Sequence, residues 1–569
     1  MNIYKKVKTI ILDVFHQEFK KLDTKLEENI TCEQPKNQKF GDISTNIILV
    51  VHKEINIEKK KIFETLMPGL SKNKIFEDLF FIEPGFVNFK LSKVYWTKFL
   101  EDIYLIKNNY GFANLGNNKN INIEFVSANP TGPLHIGHLR GAVFGDVLAR
   151  LLSKTGYKIT KEYYVNDLGV QIENLALTVK HHIKNYLEKK ERPLTENMYQ
   201  GDYLKDTALN IIKSKSFNYD DIDKLKEASV ILNLDLIKKD LKNLGVIFDN
   251  YVSEKEIHRK GLLKKILEKL NKTNNTYLGV LEKPKGKENI NWQSEKQLLF
   301  KATSFGDRSD RVIKKSNGEW TYFASDIAYH YDKAKRKYDE IINVWGADHG
   351  GYVARVKASL EALGFKKILF TVKLCQIVNL IDKKKVIKMS KRKGNFVLVS
   401  DILPKIGKDV LRFYMLTRKN DAHLDFDLEK CLAESNENPS FYVQYAYARI
   451  QSLKRIAKEK KVELSNKNEK IQILDTIPEI NLIKTLSLWP KIIEESVTNR
   501  EPHRIVYYLI DLSGKFHSYW SLGKIDKKYK ILANEDTELT QARLLLLEMI
   551  ACVIKSGLGI LSVSVKDRM

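Results

Sequence analysis

Residues 121–165, INIEFVSANPTGPLHIGHLRGAVFGDVLARLLSKTGYKITKEYYV, decide the fold. INIEFVSA (121–128) reads as a strand. Beyond a turn rich in proline and glycine, Leu139, Ala142, Val143, Val147, Leu148, Leu151 and Leu152 recur at helical spacing, and Gly156 is placed to cap the helix. ITKEYYV (159–165) reads as a second strand. A strand, a helix and a strand of this length form a right-handed β-α-β unit, with its ligand crevice at the C-terminal end of the first strand.

Outward from this unit, EIINVWGADHGG predicts another strand near 340, followed by a helix over 353–363 and a strand over 368–374. CQIVNLI, DKKK and VIKMSK predict a hairpin. Residues 170 to about 300 are Lys-rich and mostly helical, an insertion within the nucleotide-binding fold. Residues 1–112 alternate helical patterns with runs such as FVNFKL (86–91), as expected of a small α/β domain. Helical periods dominate 404–569. The expected architecture is therefore multidomain α/β plus all-α. A small α/β domain (1–112) precedes a Rossmann-like parallel-sheet catalytic domain (113–403) and a helical bundle (404–569).

The chain's 569 residues, 43% of them hydrophobic, suffice for three or more cores. A net charge of +25 points to a polyanionic partner, nucleic acid first; a Lys-rich solubilising surface is the plainer alternative. Four scattered cysteines fit free thiols in a reducing, cytoplasmic setting. The apolar stretch 544–565 carries Glu548 and Lys555, so it reads as a buried helix followed by a strand rather than a membrane span.

Three groups of residues carry candidate chemistry. His135-Ile136-Gly137-His138 straddles a helix start, where free N–H groups attract phosphate. Gly137 lets a flat ligand such as adenine approach the backbone. The twelve histidines alone give about 0.25 chance His-x-x-His pairs, so position, not the pair, is the argument, with two helix-capping histidines as the plainer alternative. No further ligands stand at metal spacing, which argues against zinc. Lys388-Met389-Ser390-Lys391 follows the hairpin; about 16 such basic pairs arise by chance, and its merit is a glycine-containing loop able to bring two ammonium groups to a pyrophosphate. Glu124 lies on the first strand, where an uncompensated charge is costly. Tyr322 and Asp326 share one helical face, with a solvated surface helix as the alternative.

Together these stretches resemble the class I aminoacyl-tRNA synthetases, and within them the arginyl-tRNA synthetases. EFVSANPTGPLHIGHLRGAVFGDVLARLL (124–152) is similar to that family's HIGH region and KMSKRKGN to its KMSK loop. EYYVNDLGVQI (162–172), YQGDY (199–203), FDNYVSE (248–254), FGDRSDRV (305–312), TYFASDIAYHYDK (321–333) and WGADHGGY (345–352) are similar to successive family blocks. FGDISTN (40–46) and EPGFVNFKL (83–91) match its N-terminal domain; HLDFDLE (423–429), NPSFYVQYAYARI (438–450) and VKDRM match its tRNA-binding end. The resemblance is collinear over nearly the whole chain.

It implies activation of L-arginine with Mg2+-ATP to arginyl-adenylate, then transfer to the 3′ end of tRNA(Arg). In this family activation usually also needs bound tRNA. ATP would lie on Ala128, Asn129, Pro130, Thr131, Gly132, Pro133, Leu134, His135, Ile136, Gly137 and His138. Gly346 and Asp348 would touch its ribose and base. Lys388, Met389, Ser390 and Lys391 would close on it. His135, His138, Lys388 and Lys391 would be catalytic. Glu124, Asn129, His135, Tyr322 and Asp326 would bind arginine, the paired acids suiting a planar guanidinium fork. Phe86, Asn88, Tyr442, Gln444, Tyr445 and Arg449 would meet tRNA, with core packing as the alternative for Phe86 and the tyrosines. The KMSK is intact, where many family members have it degraded. No metal held by the protein and no membrane contact are expected, and the chain is expected to be a monomer. The rival readings are a cysteine or glutamate enzyme of class I, a small-molecule nucleotidyltransferase, and a tRNA-binding protein without activity. The first two would want zinc ligands or a cationic pocket. The third would not need the helical C-terminal region or this charge. The intact signatures and paired acids argue against the last.

Overall fold

The computed structural model describes residues 2–35, 37–213, 217–281, 295–387, 397–462, 471–533 and 536–569. Its centre is a five-stranded sheet, parallel throughout. The strand order is Leu369–Cys375, Glu340–Gly346, Asn120–Glu124, Lys158–Val165, Asn250–Ser253. The chain enters in the middle at Asn120–Glu124, winds to one side, then returns to build the other. The reversal beside Asn120–Glu124 opens a crevice at the strands' C-terminal ends. In register, Glu124 lies between Glu162 and Asn343.

The expected β-α-β unit forms as read. The helix Ile136–Lys154 is buried on most sides, Gly156 follows it at φ +88°, and the strand Lys158–Val165 completes the unit. Two bounds differ from expectation. The stretch 170–300 is not one insertion, because Asn250–Ser253 within it is a strand of the central sheet. The helices Val170–Leu187, Asp202–Ile212 and Ile222–Leu244 precede that strand, and a small antiparallel sheet of Thr276–Gly279, Gln297–Phe300 and Arg311–Lys314 follows it. The apolar stretch at the C-terminus is also different: the helix Thr537–Leu561 ends in left-handed Ser562, and no strand follows among the described residues. The backbone of Ser564 is satisfied instead by side chains, its N–H by Asp409 and its carbonyl by Gln444. That helix is long and apolar enough to cross a membrane, but most of it is buried within the protein.

A four-stranded antiparallel sheet, Cys32–Glu33, Ile43–Thr45, Phe86–Leu91, Phe76–Ile82, carries the N-terminal helices. The C-terminal helices are Pro439–Glu459, Ile477–Ser487, Trp489–Thr498, His503–Ile525 and Thr537–Leu561. One apolar core runs from the N-terminal domain through the sheet into these helices, whereas residues 172–230 build a core of their own. Arg412 is the polar rivet between units. Its guanidinium, fully buried, donates to Asp146 (2.6 Å), to the carbonyl of Leu561 (2.7 Å) and to that of Leu244 (3.1 Å). Such a pair contributes little over an apolar substitute, but losing one partner strands a buried charge.

Candidate active site

The turn after Asn120–Glu124 is strained and held. Val126 and Ser127 occupy the left-handed region, at φ 67° and 39°, a conformation unfavourable for any residue with a Cβ and most of all a β-branched one. Ser127 is fixed from both sides: its hydroxyl donates to Glu124 Oε1 (3.0 Å) and accepts from the Tyr164 amide (3.0 Å). The Tyr163 hydroxyl donates to the Ala128 carbonyl (2.7 Å). The helical insertion then grips the loop at three points. Asn129 donates to Gln171 Oε1 (2.6 Å), the Tyr203 hydroxyl donates to the Thr131 carbonyl (2.9 Å), and the Leu134 amide donates to Asp240 Oδ2 (3.3 Å). A Cβ on Gly132 would lie 2.7 Å from the Tyr203 oxygen, so only glycine allows that approach. Burial pushes the Asp240 carboxyl up to about 6.

The turn delivers His135 and His138 to the start of Ile136–Lys154. The Gly137 amide donates to His135 Nδ1 and the His135 amide to His138 Nδ1, both at 3.2 Å, with the rings 3.9 Å apart. Because each Nδ1 accepts, each neutral imidazole carries its proton on Nε2, where it is a donor. The place a Cβ on Gly137 would occupy is 2.9 Å from the His135 ring, so this glycine makes room for the imidazole itself. Lys388, Met389, Ser390 and Lys391 lie outside the described residues. Their flanks do not: Lys385–Ile387 closes the expected hairpin against Val378–Asp382. On the far side the Ile136 amide donates to the Val397 carbonyl (3.1 Å) and the Val399 amide to the Leu134 carbonyl (2.9 Å). The segment leaving the KMSK loop is thus stitched to the HIGH turn.

Around Tyr164, Glu124 joins a cluster of acids that forms an acidic chamber in the sense of its charge. Glu124 is 5% exposed, and Asp326, half-buried, lies in the first turns of the helix Tyr322–Lys335. Burial, then the charges of Glu254 and Glu124, push the Asp326 carboxyl up to about 7, against a smaller downward pull from Arg355. Glu254 is itself raised by burial and by Asp167. Tyr164 lies amid all four acids, its phenol pushed up by burial and their charges. The Asp326 carbonyl accepts from His330 Nδ1 (2.8 Å), and burial lowers this imidazole to about 4, so it is neutral. Tyr322 is 68% exposed at the helix start, one turn from Asp326. Gly346 ends the neighbouring strand, three residues beyond the partner of Glu124, and a Cβ there would press on the exposed carboxylate of Asp348, which would have to turn away.

Glu124, expected to bind arginine, also has a cationic partner within the protein. Its Oε2 accepts from the ammonium of Lys333, a fully buried residue. Lys333, Ser127, Tyr164 and Glu254 were not singled out by sequence reasoning. Glu254 stood in FDNYVSE as one acid of many, and only the fold brings it to Asp326.

Far from this chamber, the C-terminal helices enclose a cavity of about 600 Å3 lined by Tyr445, Arg449, Arg455, Trp520, Lys524 and Arg568. Arg449 donates to the Tyr445 hydroxyl (2.7 Å) and lies over the Tyr445 and Trp520 rings. Tyr442 packs on His517. Two expected tRNA contacts are internal instead. Gln444 is 2% exposed and its amide holds the Ser564 carbonyl; Asn88 is 3% exposed and donates to the Phe40 carbonyl (2.8 Å). Each faces inward because its strand or helix alternation puts it on the packed side. Phe86 is half-buried at its strand's start, with Phe80 exposed on the same sheet and Phe40 exposed on the turn before the strand Ile43–Thr45.

Comparison with known proteins agrees with this layout. Residues 5–91 match the arginyl tRNA synthetase N terminal domain, 100–425 the catalytic domain of class I (R) tRNA synthetases, and 443–569 the DALR anticodon binding domain. Arginine–tRNA ligases of Wolbachia sp. subsp. Brugia malayi and of Rickettsia typhi are each 42% identical to this chain, over 100% and 99% of both lengths respectively. A putative arginyl tRNA synthetase of Campylobacter jejuni superposes with a TM-score of 0.71 at 32% identity, over 84% of this chain and 100% of its own. The Thermus thermophilus arginyl-tRNA synthetase shares the fold over 100% of both chains, with a TM-score of 0.74 at 20% identity.

Proposed function

The chain belongs to the arginyl-tRNA synthetases and is an arginine–tRNA ligase, and from that premise we propose how its residues divide the work. The reaction has two steps. The arginine carboxylate attacks the α-phosphorus of ATP, forming the mixed anhydride and releasing pyrophosphate. A ribose hydroxyl of the tRNA 3′-terminal adenosine then attacks the acyl carbon, its proton is lost, and AMP departs.

The guanidinium enters the acidic chamber, against Asp326 and Glu254, with the Tyr322 hydroxyl at the mouth. Two carboxylates suit a planar cation that donates in a fork. Asn129 and His135 face the amino acid's ammonium and carboxylate. ATP lies along 128–138, with Gly346 and Asp348 at its ribose and base. The Nε2 protons of His135 and His138 donate to the phosphate oxygens as charge builds on them, and Lys388 and Lys391 draw off the pyrophosphate. Mg2+ arrives on the ATP phosphates, which supply its oxygen ligands. No covalent enzyme intermediate is required, since holding both substrates over one turn converts their encounter into a local event. The tRNA spans the chain, its anticodon loop at the cavity of Tyr445, Arg449 and Trp520, with Tyr442 nearby and Phe86 contacting it from the N-terminal sheet. Aromatic rings and guanidinium groups suit unstacked bases.

The observation that carries this reading is the shared strand end. Glu124 borders the acid chamber, and the loop that begins at the next residue leads directly to the two histidines. ATP–pyrophosphate exchange, run over the common amino acids with and without tRNA, tests it. Exchange is expected with arginine. Exchange driven by a different amino acid, or none with arginine plus its tRNA, refutes the assignment.

A further inference from the structure

Three carboxylates meet in the arginine chamber, and the substrate brings one positive charge. Acids crowded into a dry site cannot all ionise unless cations offset them. Lys333 supplies such a cation from within. It lies two helical turns beyond Asp326 on the same helix and is 0% exposed. Its ammonium donates to Glu124 Oε2 and to Asn343 Oδ1 (3.1 Å), and sits 4.4 Å above the Tyr329 ring. Asn343 is held in turn: its amide donates to His330 Nε2 (2.8 Å), and His330 Nδ1 donates to the Asp326 carbonyl. Glu162, 4.0 Å from the ammonium, has its own bidentate partner in Arg336, so Lys333 is not needed there.

We propose that Lys333 is a positioning residue for arginine, offsetting part of the charge of Glu124 so that Asp326 ionises more readily to receive the guanidinium. The inference rests on Asp326 being the guanidinium's partner. The groups facing Asp326 are Glu124 from the strand, Glu254 from the helix Glu254–Arg259, Tyr164 from the neighbouring strand, and Arg355 from the helix Val353–Ala362. Of the three acids in the chamber, Glu124 alone has an ammonium bonded to it. Lys333 offsets part of the field of Glu124, which still pushes the Asp326 carboxyl up, less than burial and Glu254 do. Without Lys333, the full negative charge of Glu124 acts on Asp326 and favours its protonated, non-binding form.

The test is the pH dependence of the arginine KM in tRNA-dependent exchange. Burial and the neighbouring acids push the Asp326 carboxyl up to about 7, and the guanidinium needs its ionised form. The wild-type KM should therefore fall as pH rises through about 7 and level off above it. In Lys333→Met the midpoint should move up by about one pH unit, which raises KM about fivefold at pH 7 and leaves little difference near pH 9. Lys333→Met/Glu124→Gln, which removes both charges together and so avoids a stranded buried ion, should return the midpoint toward that of the wild type. A wild-type KM flat across this range would overturn the Asp326 assignment, and the inference with it. A wild-type midpoint that Lys333→Met leaves in place, or a KM raised equally at every pH, would overturn the role of Lys333 alone. If Lys333→Met does not fold, the double variant decides: a midpoint above that of the wild type contradicts the inference, and an unshifted one supports it.

Discussion

The acidic chamber and the C-terminal cavity recognise charge in opposite ways. The chamber meets a small cation with carboxylates held off water by Tyr164, Tyr329 and the sheet, and each is oriented by neighbours: Ser127 and Lys333 on Glu124, His330 on the backbone of Asp326. The cavity presents Arg449, Arg455, Lys524 and Arg568 among aromatic rings and opens to solvent. In the first, low polarity magnifies each charge, and misplacing one is costly. In the second, water and salt screen each charge, and affinity comes from the sum of many contacts. In the proposed function, the enzyme discriminates its amino acid with few strong interactions and holds its tRNA with many weak ones.

Breaking the chamber should give the largest effect on the reaction. Asp326→Asn keeps the shape but removes the charge that meets the guanidinium, so the arginine KM should rise by about a hundredfold, on the order of 3 kcal/mol for a lost charge-assisted bond. Steady-state kinetics over a wide arginine range will show it. Next, Asp146→Ala should strand Arg412 among buried carbonyls and lower stability by about 3–5 kcal/mol, read as a shift of the denaturant midpoint with substrate affinities preserved in the folded enzyme. His138→Ala removes one donor to the phosphates and should slow exchange by about tenfold to a hundredfold at unchanged arginine KM. Arg449→Ala should weaken tRNA by about tenfold and, by removing a cation from the phosphate field, reduce the slope of its affinity against salt. The smallest effect should come from Tyr203→Phe, which keeps the ring against Gly132 but loses the bond to Thr131. A rise of a few-fold in the ATP KM is expected.

The two regions also differ in how far they can be read from sequence. The β-α-β unit was legible because a period-3.6 apolar pattern follows a strand and a proline-glycine turn, and each signal is local. The places of His135 and His138 at a helix start, and of Asp326 on a helix, were legible for the same reason, whereas the roles proposed for them came from the family resemblance. Lys333 and Glu254 were not. A buried lysine reads like any exposed lysine until the strand carrying Glu124 is laid beside its helix, and the two are 209 residues apart in the chain. At the C-terminal end the helix Pro439–Glu459 was evident, but its facing was not. Tyr445 and Arg449 are four apart and line the cavity, while Gln444, one residue away, turns inward to hold Ser564. Asn88 misled likewise, because alternation along a strand assigns faces only once the sheet's buried side is known.

The division of labour between the two regions is tested most directly by measuring the KM for arginine and for tRNA in the same preparations of Asp326→Asn and Arg449→Ala. The account predicts a large rise in the arginine KM with an unchanged tRNA KM in the first, and the reverse in the second. A tRNA KM that rises with Asp326→Asn as much as the arginine KM does, or an arginine KM that follows Arg449→Ala, would contradict it.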